Sequence, residues 1–298
     1  MYISKELFMS YICDGVKERL GPDFSVDVIE SFKSNDRPCH HLIAYKDKAI
    51  GCPAIVLEDA YNHYRHGIRL DDICDLIAAA IKDDDALKAL DTSWYLDYDK
   101  ACNHICYKLI NRERNEEYLK DKPFVPYLDL AIVFYAPIIQ DKKLVGIITV
   151  TDQHLQAWNV TVDDLMNAAT DNSTEDFPSV FLNAAQVYRT SRKKHYPKLD
   201  LPDHAMYICT NLHFLYGASV ILYDFYLERV YDTFGTDFYL AFSSVHEAVV
   251  WIAYDDLNVD EMQKMIKSIN AKIVDPEEVL SDHLYKYDHA SGELTIYR

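Results

Sequence analysis

The sequence predicts an α+β fold, with mixed or largely antiparallel sheets, packed helices and a repeated strand–helix–helix unit as its building plan. Three observations carry that expectation. One pattern recurs: an apolar run, an Asp, a helix-like segment and a small-residue break. It starts at Ile55-Val56-Leu57-Glu58-Asp59, Ile148-Thr149-Val150-Thr151-Asp152 and Ile221-Leu222-Tyr223-Asp224. In the first two copies a second Asp pair follows, Leu70-Asp71-Asp72-Ile73 and Val162-Asp163-Asp164-Leu165. Residues 128–135 and 144–150 form two nearly continuous apolar runs around Gln140-Asp141-Lys142-Lys143, as expected of strands covered on both faces. Finally, only 8 glycines argue against a fold built on glycine-rich phosphate loops.

The elements follow in order. Residues 4–20 read as an amphipathic helix with Leu7, Phe8, Tyr11, Ile12, Val16 and Leu20 inward and Gly21-Pro22 as its stop. Phe24, Val26 and Val28 alternate as a strand, and a turn at Ser34-Asn35-Asp36 leads to a second strand over 41–45. Asp59 is placed to cap a helix ending near Gly67, and Asp71 opens the next. The acidic stretch Asp83-Asp84-Asp85 marks a connection, so an N-terminal subdomain of residues 1–90 and a larger one of 91–298 are expected. A long helix is expected over 99–119, carrying Cys102 and Cys106 on one face, and Lys122-Pro123 ends it. Beyond the apolar hairpin, Asp152 and Asp163 cap two helices, and a further helix follows Pro178. Strands are expected at 205–209, 218–222, 238–242 and 248–252, helices from Asp224, Asn258 and Asp275, and a terminal hairpin around Ser291-Gly292.

Apolar residues make up 49% and charged residues 26%, a globular composition, and 23 tyrosines supply apolar bodies with polar tips. A net charge of −18 disfavours direct nucleic-acid binding and points to a basic protein partner as the alternative to charge kept for solubility. The run Arg189–Lys198 is the local exception and reads as a solvated loop. Seven cysteines form no secreted-type framework, the N-terminus lacks a signal-peptide core, and no apolar run reaches the roughly 20 residues of a membrane helix. A cytoplasmic location and no membrane contact are expected; oligomeric state is left open.

Candidate chemistry is sparse. Ser243-Ser244-Val245-His246-Glu247 places two hydroxyls, an imidazole and a carboxylate between two apolar strands. His246 there is a possible general base with Glu247 and a serine, Ser243 or Ser244. The bland alternative has the serines shaping a turn while His246 and Glu247 hold it by hydrogen bonds. No G-x-S-x-G elbow and no H-E-x-x-H is present. Cys102-Asn103-His104-Ile105-Cys106 does not converge three ligands on a helix, and Cys39-His40-His41 with Cys52 shows no four-ligand spacing, so no metal is expected. Recurring Asp59, Asp152 and Asp224 are read as helix caps. No cofactor fingerprint appears.

Several segments resemble a family of bacterial proteins of unknown function, seen largely in anaerobic Gram-positive gut bacteria and their mobile elements. They are residues 127–134, 154–161, 217–223 and 238–247, from Tyr127-Leu128-Asp129-Leu130 to Ser244-Val245-His246-Glu247. The resemblance implies membership and brings no activity, cofactor or catalytic residue. The favoured functional expectation is a non-catalytic cytoplasmic interaction or regulatory protein with an acidic surface, in one form a mobile-element factor acting on a nucleic-acid-binding or defence protein. The alternatives are a hydrolase using His246 with Glu247 and a serine, or a small-ligand module with a tyrosine-lined pocket.

Overall fold

A computed structural model of the protein describes residues 2–45, 54–82, 93–140, 143–184, 206–253 and 258–297. The chain divides into two compact units, Met1–Asp91 and Thr92–Arg298. The basic run Arg189–Lys198, Cys52 and the Asp83-Asp84-Asp85 connection lie outside the described residues.

In the first unit, helix α1 (Lys5–Leu20) is capped by the Ser4 side chain, which accepts from the Leu7 N–H, and ends at Gly21 with φ 87°. Its buried side chains are Phe8, Ile12, Val16 and Leu20, while Leu7 and Tyr11, expected inward, are exposed. Tyr11 instead donates its hydroxyl to Asp71, 3.1 Å away. Strands β1 (Ser25–Lys33) and β2 (Arg37–Tyr45) form an antiparallel hairpin with Asn35 and Asp36 in the left-handed region at its turn. Strand β3 (Ala54–Val56) pairs with β2, and helices α2 (Leu57–Arg65) and α3 (Leu70–Lys82) follow. Phe8, Ile12, Leu42, Leu57, Ile73 and Ile77 meet in this unit's core.

The second unit opens with a single helical turn, α4 (Tyr98–Ala101), and then departs from expectation. Residues 106–111 are a strand, β4 (Cys106–Asn111), not part of a helix over 99–119. All six residues of β4 are buried, so both faces are covered and neither a period of two nor one of 3.6 stands out. Two 3-10 turns, Glu113–Asn115 and Tyr118–Asp121, lead to β5 (Phe124–Tyr127), β6 (Leu130–Gln140) and β7 (Lys143–Thr149). Strand β6 is the hub of an antiparallel sheet, pairing with β4, β5 and β7.

Helices α5 (Asp152–Trp158) and α6 (Val162–Asp176) follow, then strand β8 (Ser179–Asn183) where a helix was expected. Strand β9 (Met206–Asn211) precedes a third departure from expectation: Gly217–Leu222 is a 3-10 helix rather than a strand. This segment is wedged into the core, with Gly217 through Ile221 all buried. Gly217 has no room for a side chain, since a Cβ there would lie 2.5 Å from the His246 carbonyl oxygen. Helix α7 (Tyr226–Phe234), strands β10 (Phe238–Ser244) and β11 (Glu247–Ile252), helix α8 (Val259–Lys272) and the terminal hairpin β12 (Leu284–Asp288) with β13 (Glu293–Ile296) complete the unit. No helix forms at Asp275; residues 275–279 turn and bridge Ser244 to Val279. The six-stranded sheet runs β13-β12-β10-β11-β9-β8, antiparallel throughout. Alternate residues of the two sheets, Leu109, Ile132 and Phe134 from one and Leu240, Phe242 and Tyr285 from the other, share one core with Leu165 and Val220.

The recurring acids are not the caps. Thr151 and Thr161 occupy the N-cap positions of α5 and α6, Val56 and Phe225 those of α2 and α7, and the acids flank them or lie in the first turn. There a carboxylate complements the positive helix end without a capping bond. At α6 the Thr161 hydroxyl accepts from the Asp164 N–H at 3.2 Å, and Asp164 returns the bond to the Thr161 N–H at 2.8 Å. Thr161→Ala should therefore cost about 1 kcal/mol in chemical denaturation, while Asp163→Ala should cost less than half of that.

Candidate functional site

The loop singled out in the sequence joins β10 to β11, and a register shift between Ala241 and Ser244 lets it turn. Ser243 and Ser244 are buried, and the Ser244 hydroxyl accepts from the His246 backbone N–H at 3.1 Å. The His246 ring stacks on Tyr216 and is held at both nitrogens. Nδ1 accepts from the Tyr216 N–H at 3.1 Å, so the proton sits on Nε2, which faces Glu278 Oε1 at 3.3 Å. The ring's lone pair is thus occupied, and its carboxylate neighbour is Glu278, not the adjacent Glu247. Burial raises the Glu247 carboxyl, with the negative charge of Glu278 adding to it. The structure keeps Ser243, Ser244, His246 and Glu247 together but brings no serine hydroxyl onto the imidazole.

The same loop holds a neighbouring segment by its backbone. Val245 N–H donates to Glu278 O, Leu280 N–H to Ser243 O, and Ser281 N–H to Phe242 O, at 2.9, 3.2 and 2.7 Å. Residues 278–281 are thereby fixed against the end of β10, and they carry the chain into Ser281, Asp282 and His283.

Ser281 and His283 meet Asp129 from the turn before β6. That turn is set by Leu128 in the left-handed region (φ 54°) and by an Arg112 N–H to Asp129 O bond that extends the β4–β6 ladder. The Asp129 carboxylate accepts from Ser281 Oγ at 2.8 Å, from His283 Nδ1 at 2.9 Å and from the Tyr285 hydroxyl. The Tyr285 oxygen also lies 2.8 Å from Ser281 Oγ. Burial and the adjacent Asp129 push the Tyr285 phenol well above its ordinary range, so it stays a donor. An ionised carboxylate can only accept, so His283 Nδ1 carries the proton and Nε2 keeps its lone pair. Nε2 has no hydrogen bond among the described residues, and the side chain is 45% exposed.

His283, Ser281 and Asp129 line a cavity of about 370 Å³. Its other walls are Asn111 at the end of β4, Glu113 and Arg114 in the first 3-10 turn, and Gln263 and Lys267 on α8. Arg114 pairs with Asp282 at 2.6 Å, and Asn270 donates to the other Asp282 oxygen at 2.7 Å. Ser281 itself is fully buried and gives its proton to Asp129, so it braces the site rather than facing a substrate.

Chemically, the cavity offers an imidazole oriented by a half-buried carboxylate on Nδ1, an arrangement suited to general-base chemistry. The sequence passed over it because Asp129 and His283 are separated by 154 positions. The local signs were an acid interrupting the apolar run Leu128-Asp129-Leu130 and a polar triplet ahead of Leu284. The family described as a family of unknown function, DUF5688, matches residues 5–289. The chain belongs to that family. No curated protein and no solved structure matches it. The Asp129–His283 cavity and the His246 loop both lie within the matched span.

Other chemistry-bearing motifs of this DUF5688 chain are accounted for by their neighbours. Cys106 starts β4 and is buried, while Cys102 lies beyond α4 and is half-buried. Cys39 Sγ lies 3.7 Å from His41 Nε2 and 3.4 Å from Glu58, and His40 meets Glu58 at 2.9 Å. Among the described residues no group of three His, Cys, Asp or Glu side chains is arranged to hold a metal ion. Among the described helices none is long and apolar enough to cross a membrane.

A buried lysine sits on β4. Lys108 is 6% exposed, lies over the Tyr216 ring at 4.3 Å and has no ion pair among the described residues. Burial pushes its ammonium down to about 8, with the charge of Lys122 adding to the effect. The folded state releases this proton before the unfolded chain does, so stability should rise with pH from about 8 towards 10.5. Lys108→Met should raise the melting temperature at neutral pH and flatten that rise, as read by thermal denaturation between pH 7 and 10. Tyr285→Phe should cost about 1–3 kcal/mol in urea denaturation, because Asp129 loses a buried donor.

Proposed function

We propose that the protein acts on a small polar ligand in the Asp129–His283 cavity, with His283 as the general base and a water molecule as the group it activates. The observation that carries this reading is an Nε2 without a hydrogen bond among the described residues, on a histidine whose Nδ1–H meets the half-buried Asp129 carboxylate at 2.9 Å, in a cavity of about 370 Å³. Asp129 holds the ring and compensates the imidazolium that forms when Nε2 takes a proton. Ser281 and Tyr285 hold Asp129. In this reading the chain acts as a hydrolase without a covalent serine, and His283 rather than His246 is its base.

The net charge of −18 favours a second reading, an acidic cytoplasmic interaction protein that engages a basic partner such as a nucleic-acid-binding or defence protein. The two differ in what removal of one imidazole does.

The His283 side chain is 45% exposed, so water can replace its bond to Asp129 and His283→Ala should lower the melting temperature by only a few degrees, less than Tyr285→Phe does. It should lower hydrolysis of whichever substrate emerges from a panel of small esters, amides and phosphodiesters by roughly 10²–10⁴-fold. Asp129→Asn should lower both turnover and stability. Turnover that survives His283→Ala would remove the base from the proposal, and a panel without any His283-dependent turnover would leave the acidic interaction reading in its place.

A further inference from the structure

The hydrogen-bonding capacity of the cavity lining is not evenly occupied. Asp129 accepts three bonds, and both Asp282 oxygens are taken, one by Asn270 and one by Arg114. The Asn111 side chain donates to Leu280 O and accepts from the Arg114 N–H. What remains unused is mainly donor capacity. Lys267 is exposed and has no ion pair among the described residues. Arg114 uses only Nη2 on Asp282, which leaves its Nε and Nη1 groups for another acceptor. The Gln263 amide on the same face of α8, one turn before Lys267, makes no described bond.

The lining therefore sets donors from α8 and from the Glu113–Asn115 turn beside the free Nε2 of His283. We infer that the cavity recognises a singly charged oxyanion, a carboxylate or a phosphodiester, held by Lys267 and Arg114 with its reacting atom towards His283. Glu113 limits the charge: it lines the same cavity as a carboxylate with no described partner and opposes a dianion. Three carboxylates against two cations leave no surplus positive field, so recognition rests on directed donors rather than on net charge. This inference rests on the reading of the cavity as the reaction site and adds the class of substrate.

Binding rather than turnover tests it. Isothermal titration of the full chain with hippurate, with dimethyl phosphate and with inorganic phosphate at pH 8 separates carboxylate, phosphodiester and dianion. Saturable binding of hippurate or dimethyl phosphate is expected, with inorganic phosphate weaker. Lys267→Ala should weaken it about tenfold or more, in line with loss of a charge-assisted bond. Lys264→Ala on the exposed side of α8 should change it less than twofold, and His283→Gln should retain it. Absence of binding by both monoanions, equal binding by Lys267→Ala, or equal losses from the two lysine variants would overturn the inference. Monoanion binding that depends on Lys267 in a chain whose turnover ignores His283 would uphold the anion site and reject the general base.

Discussion

A carboxylate drawn out of water needs donors in fixed directions, and Asp129 finds three of them on one short stretch of chain. Ser281, His283 and Tyr285 lie on one short segment, a bend at Asp282 followed by the start of β12, and all three donate to the same carboxylate. The first of them is placed by the backbone bond from Ser281 to Phe242, and the last by pairing of Tyr285 with Leu240 in the six-stranded sheet. The entry of β6 and the entry of β12 are thus tied through one side chain. Around that tie the cavity walls take their positions, Arg114 through Asp282 and α8 through Asn270. Asp129 is half-buried, so leaving it without these partners would be destabilising.

The first unit solves the same problem with a different carboxylate. Glu58, at the start of α2, meets Lys5 of α1 at 2.8 Å and His40 of β2 at 2.9 Å, and also accepts from the His40 backbone N–H. Burial opposes its charge, yet the bonds from Lys5 and His40 hold the carboxyl well below the usual range. Here the partners come from two elements, α1 and β2, and His40 meets the acid through Nδ1 as His283 meets Asp129. Asp129 and His283 in addition line a cavity of about 370 Å³, which is what makes that pair a candidate site.

Legibility in the sequence followed the physics of burial. The β6–β7 and β10–β11 pairs, the terminal hairpin and α1 have one dominant local signal each, and their residues carry it. Where both faces are buried, as in β4, the pattern loses its period, and the helical propensity of Ala101 and the residues around it led to the wrong element. The run from Ala218 to Leu222 reads as a strand by composition, but the contact between Gly217 and the His246 carbonyl oxygen leaves it no ladder to join. The acids after each apolar run were visible, but the capping role read for Asp152 and Asp163 belongs to Thr151 and Thr161, one and two positions earlier. At the site, the conspicuous cluster around His246 was readable because its members are adjacent. The Asp129 set was not, because only the folded sheets bring it together.

That separation in sequence has a kinetic consequence. Hairpins such as β6–β7 close loops of a few residues and can form early, whereas the Asp129 contacts close loops of 152 to 156 residues. Such contacts are rewarded only after both sheets exist. The cavity is therefore assembled at the end of folding, and a chain released before its last twenty residues emerge holds β6 with its carboxylate still facing water.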